Sequence, residues 1–133
     1  ETLVRSVVAT QCHLLLQSGR HVQPMPLTKI FIKDGTPIPP AAELHEALCG
    51  IWKVPKDVLK VIIFTVKDMS GPETAYVDIR AKAKPERTSE AMQGYMEAMR
   101  QLFEKHSLIP NFRIELYEPA LQYALFKPPQ SKL

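Results

Sequence analysis

The stretch "PLTKIFIKDGTPIPPAAELHEALCGIWKVPKDVLKVIIFTV", residues 26–66, decides the fold, because it holds one complete strand-helix-strand unit. Its opening, "LTKIFIK", puts Ile30 and Ile32 on one side and Lys29, Phe31 and Lys33 on the other. That alternation is the mark of a half-buried strand. "DGTP" is turn chemistry. In "PPAAELHEALCGIW" the two prolines suit a helix's first turn, and Leu44, Ala47, Leu48 and Ile51 form an apolar stripe at helical spacing. "VPKD" breaks that helix, and "VLKVIIFTV", residues 58–66, is dense in β-branched residues and reads as a buried strand.

The order then repeats. "AYVDIRAKA" alternates as a strand, and "KPER" turns. Thr88 or Ser89 can cap a second helix, with Glu90 favoured in its first turn by the helix dipole. Ala91, Tyr95, Met99 and Leu102 make one stripe of that helix, which Met92, Met96 and Phe103 widen. Methionine on a helix face is usually core filling. "LIPNFRIELYEP" supplies a break and a closing strand over 112–117. Each half ends its helix with an apolar residue and proline, Val54-Pro55 and Ile109-Pro110. The expected fold is α+β, with two β-α-β units making a four-stranded sheet and both helices on one face. Helices cover only that face, so the other is expected to meet itself in an oligomer.

Composition narrows the function classes. The 133 residues suit one domain, or one domain with an extension, and 45% apolar residues suffice for a core. No apolar run approaches the roughly 18 residues of a membrane span. A formal charge of +3 is mild, and basic residues mix with acidic ones. No basic cluster with interleaved aromatics appears, which argues against a nucleic-acid partner. Cys12 and Cys49 are the only cysteines and lack disulfide-framework or zinc spacing, so a reducing compartment fits best. "HEALC" lacks the second histidine of a zinc protease motif, and no metal site is expected. Asp78 and Arg80 share a strand face and read as a surface or subunit-contact pair.

The ends differ from the body. Residues 1–25 carry Arg5 and Arg20 against one acid, Glu1, and place Leu3, Val7 and Leu14 roughly on one helical face. That is the composition of an organelle transit peptide, and equally of an ordinary helix docked on the body. "SKL" at residues 131–133 matches a peroxisomal import address and competes with the mitochondrial reading. With neither signal in use, the compartment is the cytoplasm. The organisation is thus an extension or presequence at 1–25, a domain at 26–127 and a tail at 128–133.

From Pro26 onward the chain resembles the tautomerase superfamily. Its members begin with proline after loss of Met and run into a strand, a Gly-containing turn and a helix, as in "PLTKIFIKDGT". "VPKDVLKVIIFTV", "KPERTSEAM", "IELYEP" and "YALFK" look most like the branch of 5-carboxymethyl-2-hydroxymuconate isomerase and macrophage migration inhibitory factor. The likeness spans roughly residues 26–127 and rests on order and spacing, since no single motif is specific.

The resemblance implies a trimeric isomerase without cofactor, acting on a small carboxylated enol or unsaturated keto acid. Pro26 would be the general base, and Lys60 and Arg87 the cations that bind substrate carboxylate. The chemistry has its own logic. An α-amine titrates near about 7.7–8, and an apolar site disfavours its charged form. It is then a free base suited to taking a proton beside a carbonyl. Departures accompany the match. Lys60 stands where an arginine is common and lacks the bidentate fork. Arg87 matches the arginine of a Gly-Arg-Ser turn whose glycine is here Glu86, and Thr36 replaces a first-turn arginine of one-unit members. By themselves Lys60 reads as a solvated edge-strand lysine and Arg87 as a solvent-facing turn residue.

The largest departure is Met25, joined to Pro26 in mid-chain. An acylated proline nitrogen is an amide without usable basicity. Two expectations follow. Processing exposes Pro26 and the protein is an isomerase, or residues 1–25 stay, block the old site and hold the fold as an inactive subunit of a larger assembly, mitochondrial if those residues address it there.

Overall fold

The structure, a computed structural model, describes residues 26–125 and 127–129. The extension 1–25 and the "SKL" terminus, and with them the transit-peptide, Cys12 and import-address expectations, lie outside the described residues. Of the described residues, 26–122 form one compact unit, and residues 123–125 and 127–129, all exposed, belong to another.

The elements follow the alternation and stripes of the sequence. They are β1 (Leu27–Lys33), α1 (Ala41–Trp52), β2 (Lys60–Val66), β3 (Ala75–Lys82), α2 (Ser89–Lys105), β4 (Pro110–Tyr117) and a 3-10 turn (Pro119–Leu121). The sheet order is β2-β1-β3-β4. β1 is parallel to β2 and β3 to β4, while β1 and β3 run antiparallel and join the two halves at the centre. Both helices pack on one face of the expected four-stranded sheet. Ile30 and Ile32 of β1 and Ala75, Val77, Ile79 and Ala81 of β3 share one core with Leu44, Leu48 and Trp52 of α1 and Met92, Met99 and Phe103 of α2. The methionines are core filling, and Cys49 is buried in the same cluster.

Element boundaries differ from the sequence pattern where the backbone has another partner. Pro40 is extended, with ψ 130, and caps α1 from outside the helix, its carbonyl accepting from the Leu44 N–H. The second strand starts at Lys60 because Val58 N–H turns back to the Pro55 carbonyl. β4 starts early, at Pro110. The Thr74 and Ala75 N–H groups both donate to the Ile109 carbonyl, and Ile109 N–H donates to Thr74 Oγ1, so the strand is clamped before its apolar residues begin.

α2 begins where its sequence says. Thr88 Oγ1 accepts from Ala91 N–H at 3.1 Å, satisfying one orphan donor of the first turn. Thr88→Ala should destabilise the fold by about 1 kcal/mol. A urea melt with an unchanged midpoint would show the cap to be dispensable.

The uncovered sheet face divides into two. Phe31 and Phe64 stack at 4.8 Å between centroids, with Tyr76 tilted beside them at 6.4 Å. Toward β4, Arg113 lies 3.7 Å from Asp78 and 3.5 Å from Glu115, which also lies 3.6 Å from Arg80. The Asp78 and Arg80 pair thus belongs to an ion-pair network on this face.

Candidate functional site

The topology gathers one end of the sheet. The starts of β1 and β2 and the ends of β3 and β4 meet there, with Leu27 opposite both Lys60 and Arg80, and Lys82 opposite Tyr117. The end of α1 and the start of α2 arrive at the same place, because α1 leads into β2 and α2 follows β3. The three candidate site residues, Pro26, Lys60 and Arg87, all sit at this end.

Pro26 precedes β1 and is fully buried. Its carbonyl accepts from Lys60 N–H at 3.1 Å, extending the β1–β2 ladder by one bond. Side chains alternate along β1, and Thr28, Ile30 and Ile32 face the helices. Pro26 continues that row, on the helix side.

Lys60 does not. It opens the edge strand β2, is exposed, and pairs with Leu27, which belongs to the opposite row. The sheet brings its backbone to Pro26 and turns its side chain toward the uncovered face.

Arg87 is the unexpected member. The turn "KPER" reads as solvated, yet Arg87 is only 8% exposed. Its guanidinium lies 5.2 Å from the centre of the Trp52 ring and donates from Nη1 to the Lys82 carbonyl at 2.8 Å. A cation over an indole face is attracted by the ring's quadrupole. Trp52 is itself held edge-on by Tyr95 of α2, with centroids 5.0 Å apart. Burial pushes the Arg87 pKa down, while Glu86, Tyr95 and Tyr117 pull it back up. Among the described residues no carboxylate forms an ion pair with Arg87. Tyr117, at the end of β4, has its phenol pushed up by burial and drawn down by Arg87 and Arg80.

Two further polar atoms at this end stand out. Trp52 Nε1 and the Tyr117 hydroxyl are buried and have no hydrogen-bond partner among the described residues. Neither residue is singled out by sequence pattern, although Trp52 is the only tryptophan in the chain. His45 is accounted for structurally, with Nε2 hydrogen-bonding the Leu59 carbonyl at 2.9 Å and tying α1 to the approach of β2. Burial pushes the Cys49 thiol up, which suits an inert core residue.

Comparison with known proteins supplies the fold's relatives. No protein-family model matches the sequence, and no curated protein matches it. Solved structures do. A 5-carboxymethyl-2-hydroxymuconate isomerase from Deinococcus radiodurans R1 is 19% identical at a TM-score of 0.56, over 77% of this chain and 90% of that one. FG41 malonate semialdehyde decarboxylase, inhibited by 3-bromopropiolate, is 14% identical at a TM-score of 0.60, over 77% of this chain and 92% of its own. A fused 4-OT described as a symmetric trimer is 18% identical at a TM-score of 0.56, over 70% of this chain and 86% of that one. Likeness at these identities is likeness of fold, and the four-stranded sheet with its two helices is the tautomerase fold.

Proposed function

We propose that this fold serves as a cofactor-independent tautomerase for a small carboxylated enol or unsaturated keto acid, active when Pro26 is the first residue. The observation that carries the reading is Arg87, buried on Trp52 on the helix side of the sheet end where Pro26 leads into β1. A free Pro26 nitrogen, at a buried position, would take a proton from the carbon beside the substrate carbonyl and return it elsewhere on the conjugated system. Arg87 would hold the carboxylate and offset the enolate charge. Lys60, on the other sheet face, would act on the site of a neighbouring copy.

That last role needs an oligomer. The uncovered Phe31–Phe64–Tyr76 face and the symmetric trimer of the fused 4-OT support a trimer. Light scattering should return three times the chain mass, and a monomer would remove the part given to Lys60.

A second reading has its own observation. Pro26 follows Met25 and is fully buried, so while that bond stands the base is missing. The fold would then be an inactive subunit whose residues 1–25 contact partner proteins, in a mitochondrial assembly if those residues address it there. The intact mass of the protein from its own cells separates the two. A chain starting at Pro26 supports the enzyme, and one retaining Met25 supports the subunit.

A further inference from the structure

We infer that the uncovered sheet face is a binding site for a polyvalent anion, held between the copies that meet through it. The inference rests on the trimer reading above and uses neither Pro26 nor Arg87. Register fixes which side chains share this face. Leu27 of β1 stands opposite Lys60 and Arg80, and Lys29 opposite Asp78. On β3, Asp78, Arg80 and Lys82 stand opposite Arg113, Glu115 and Tyr117 of β4. With Lys33 at the end of β1, the strands present six cations here, Lys29, Lys33, Lys60, Arg80, Lys82 and Arg113, against two carboxylates, Asp78 and Glu115. The whole chain has 17 Lys and Arg against 14 Asp and Glu. One sheet face thus carries more excess positive charge than the entire chain, and the rest of the molecule is slightly negative.

Both carboxylates are already engaged. Asp78 lies 3.7 Å from Arg113, and Glu115 lies 3.6 Å from Arg80 and 3.5 Å from Arg113. Lys29, Lys33, Lys60 and Lys82 form no ion pair among the described residues. Three of these lysines gather with Arg80 around Leu27. Lys60 and Arg80 flank Leu27 on the neighbouring strands, Lys29 is next in its row, and Lys82 follows Arg80. Strand spacing and rise put the four backbones within roughly 15 Å of one another. A single carboxylate engages part of this group, whereas a ligand with several charges along its length engages all of it. A second copy does not supply the missing charge, because a like face brings the same excess of cations. Excluding water between such faces strengthens their repulsion. A polyvalent anion between them offsets it, and the Phe31–Phe64–Tyr76 side of the face gives the apolar contact. The assembly then holds the anion more tightly than a lone copy does, and by linkage the anion strengthens the assembly.

Light scattering follows dissociation of the full 133-residue chain on dilution, in tripolyphosphate, citrate or sodium chloride at equal ionic strength. An anion bound only by the assembly raises the association constant about tenfold at about ten times its Kd. The trimer should therefore persist to lower chain concentration in tripolyphosphate or citrate than in chloride, and the two arms show which chemistry the site prefers. Lys29→Gln combined with Lys82→Gln leaves the backbone carbonyl that holds Arg87 in place. The double variant should lose the gain from the anion, and in chloride it should associate at least as well as the parent, because repulsion is lower. Lys105→Gln, an exposed change at the end of α2, should keep the gain. Thermal melts confirm that the variants fold. Equal persistence in all three salts overturns the inference and leaves the trimer standing. So does an undiminished gain in the double variant. Calorimetric binding of either anion to a chain that stays monomeric overturns the placement between copies. A monomer in every salt, with no binding, removes the trimer reading and the inference together.

Discussion

A chain beginning at Pro26 is expected to interconvert the enol and keto forms of a phenylpyruvate-type acid, and the same chain with Met25 retained is expected to fall to background. The difference should be about 10²–10⁴-fold in kcat/KM, the usual worth of a positioned general base. The reason is the state of one nitrogen. Joined to Met25 it is an amide whose lone pair is delocalised into the carbonyl. Freed, it is an amine, and burial at this position would bias it toward the neutral form at neutral pH. Activity of the free form should fall as pH drops through the amine's pKa, because the protonated nitrogen cannot accept a proton. Loss of the enol's ultraviolet absorbance follows the reaction. Equal rates for the two forms would remove Pro26 from the mechanism, and no rate in either would favour the inactive subunit.

Periodicity revealed nearly all of the fold. The alternation in "LTKIFIK" gave β1 its buried row, and the stripe of α1 gave Leu44 and Leu48 their places in the core. Thr88 announced the start of α2 and is its N-cap. Boundaries slipped by a residue or two where a turn or clamp took the backbone first, at Val58 and at Pro110. The turn at Val58 is a backbone bond that hydrophobic periodicity does not register, and the clamp at Pro110 depends on Thr74 and Ala75, which a local pattern does not contain.

The candidate site was less legible. Pro26, Lys60 and Arg87 reach one end of the sheet through a β-α-β order the sequence does display. That Arg87 is buried was hidden, because its partner Trp52 lies 35 positions away and a turn of charged residues normally faces water. The parity separating Lys60 from Pro26 was hidden too. It follows from the parallel register of β1 and β2, in which Leu27, not Thr28, stands opposite Lys60. Trp52 and Tyr117 gave no motif signal. What marks them is a polar atom buried without a partner, and that exists only after packing.

Trp52 joins the core to Arg87 at the candidate site, so its replacement should separate the ring's packing from its indole N–H. Trp52→Ala removes a ring that is 2% exposed and packed edge-on against Tyr95. Truncating a buried aromatic of this size costs about 3–5 kcal/mol, from lost burial and the cavity left behind. Arg87 loses its cation–π partner as well, worth about 0.5–2 kcal/mol more. A fold of this size loses about 4–8 °C of Tm per kcal/mol, so the variant should melt more than about 12 °C below the parent. Trp52→Phe keeps an aromatic ring against Tyr95 and Arg87 and should lose much less stability, while still removing the indole N–H, which has no partner among the described residues. Far-UV circular dichroism during urea unfolding compares the two, since tryptophan emission disappears with the residue. A loss below about 1 kcal/mol in Trp52→Ala would place the ring outside the core, against its burial. Equal losses in the two variants would mean that the indole N–H, and not the ring, supports the fold. That proton would then have an acceptor within the protein, against its lack of a partner among the described residues.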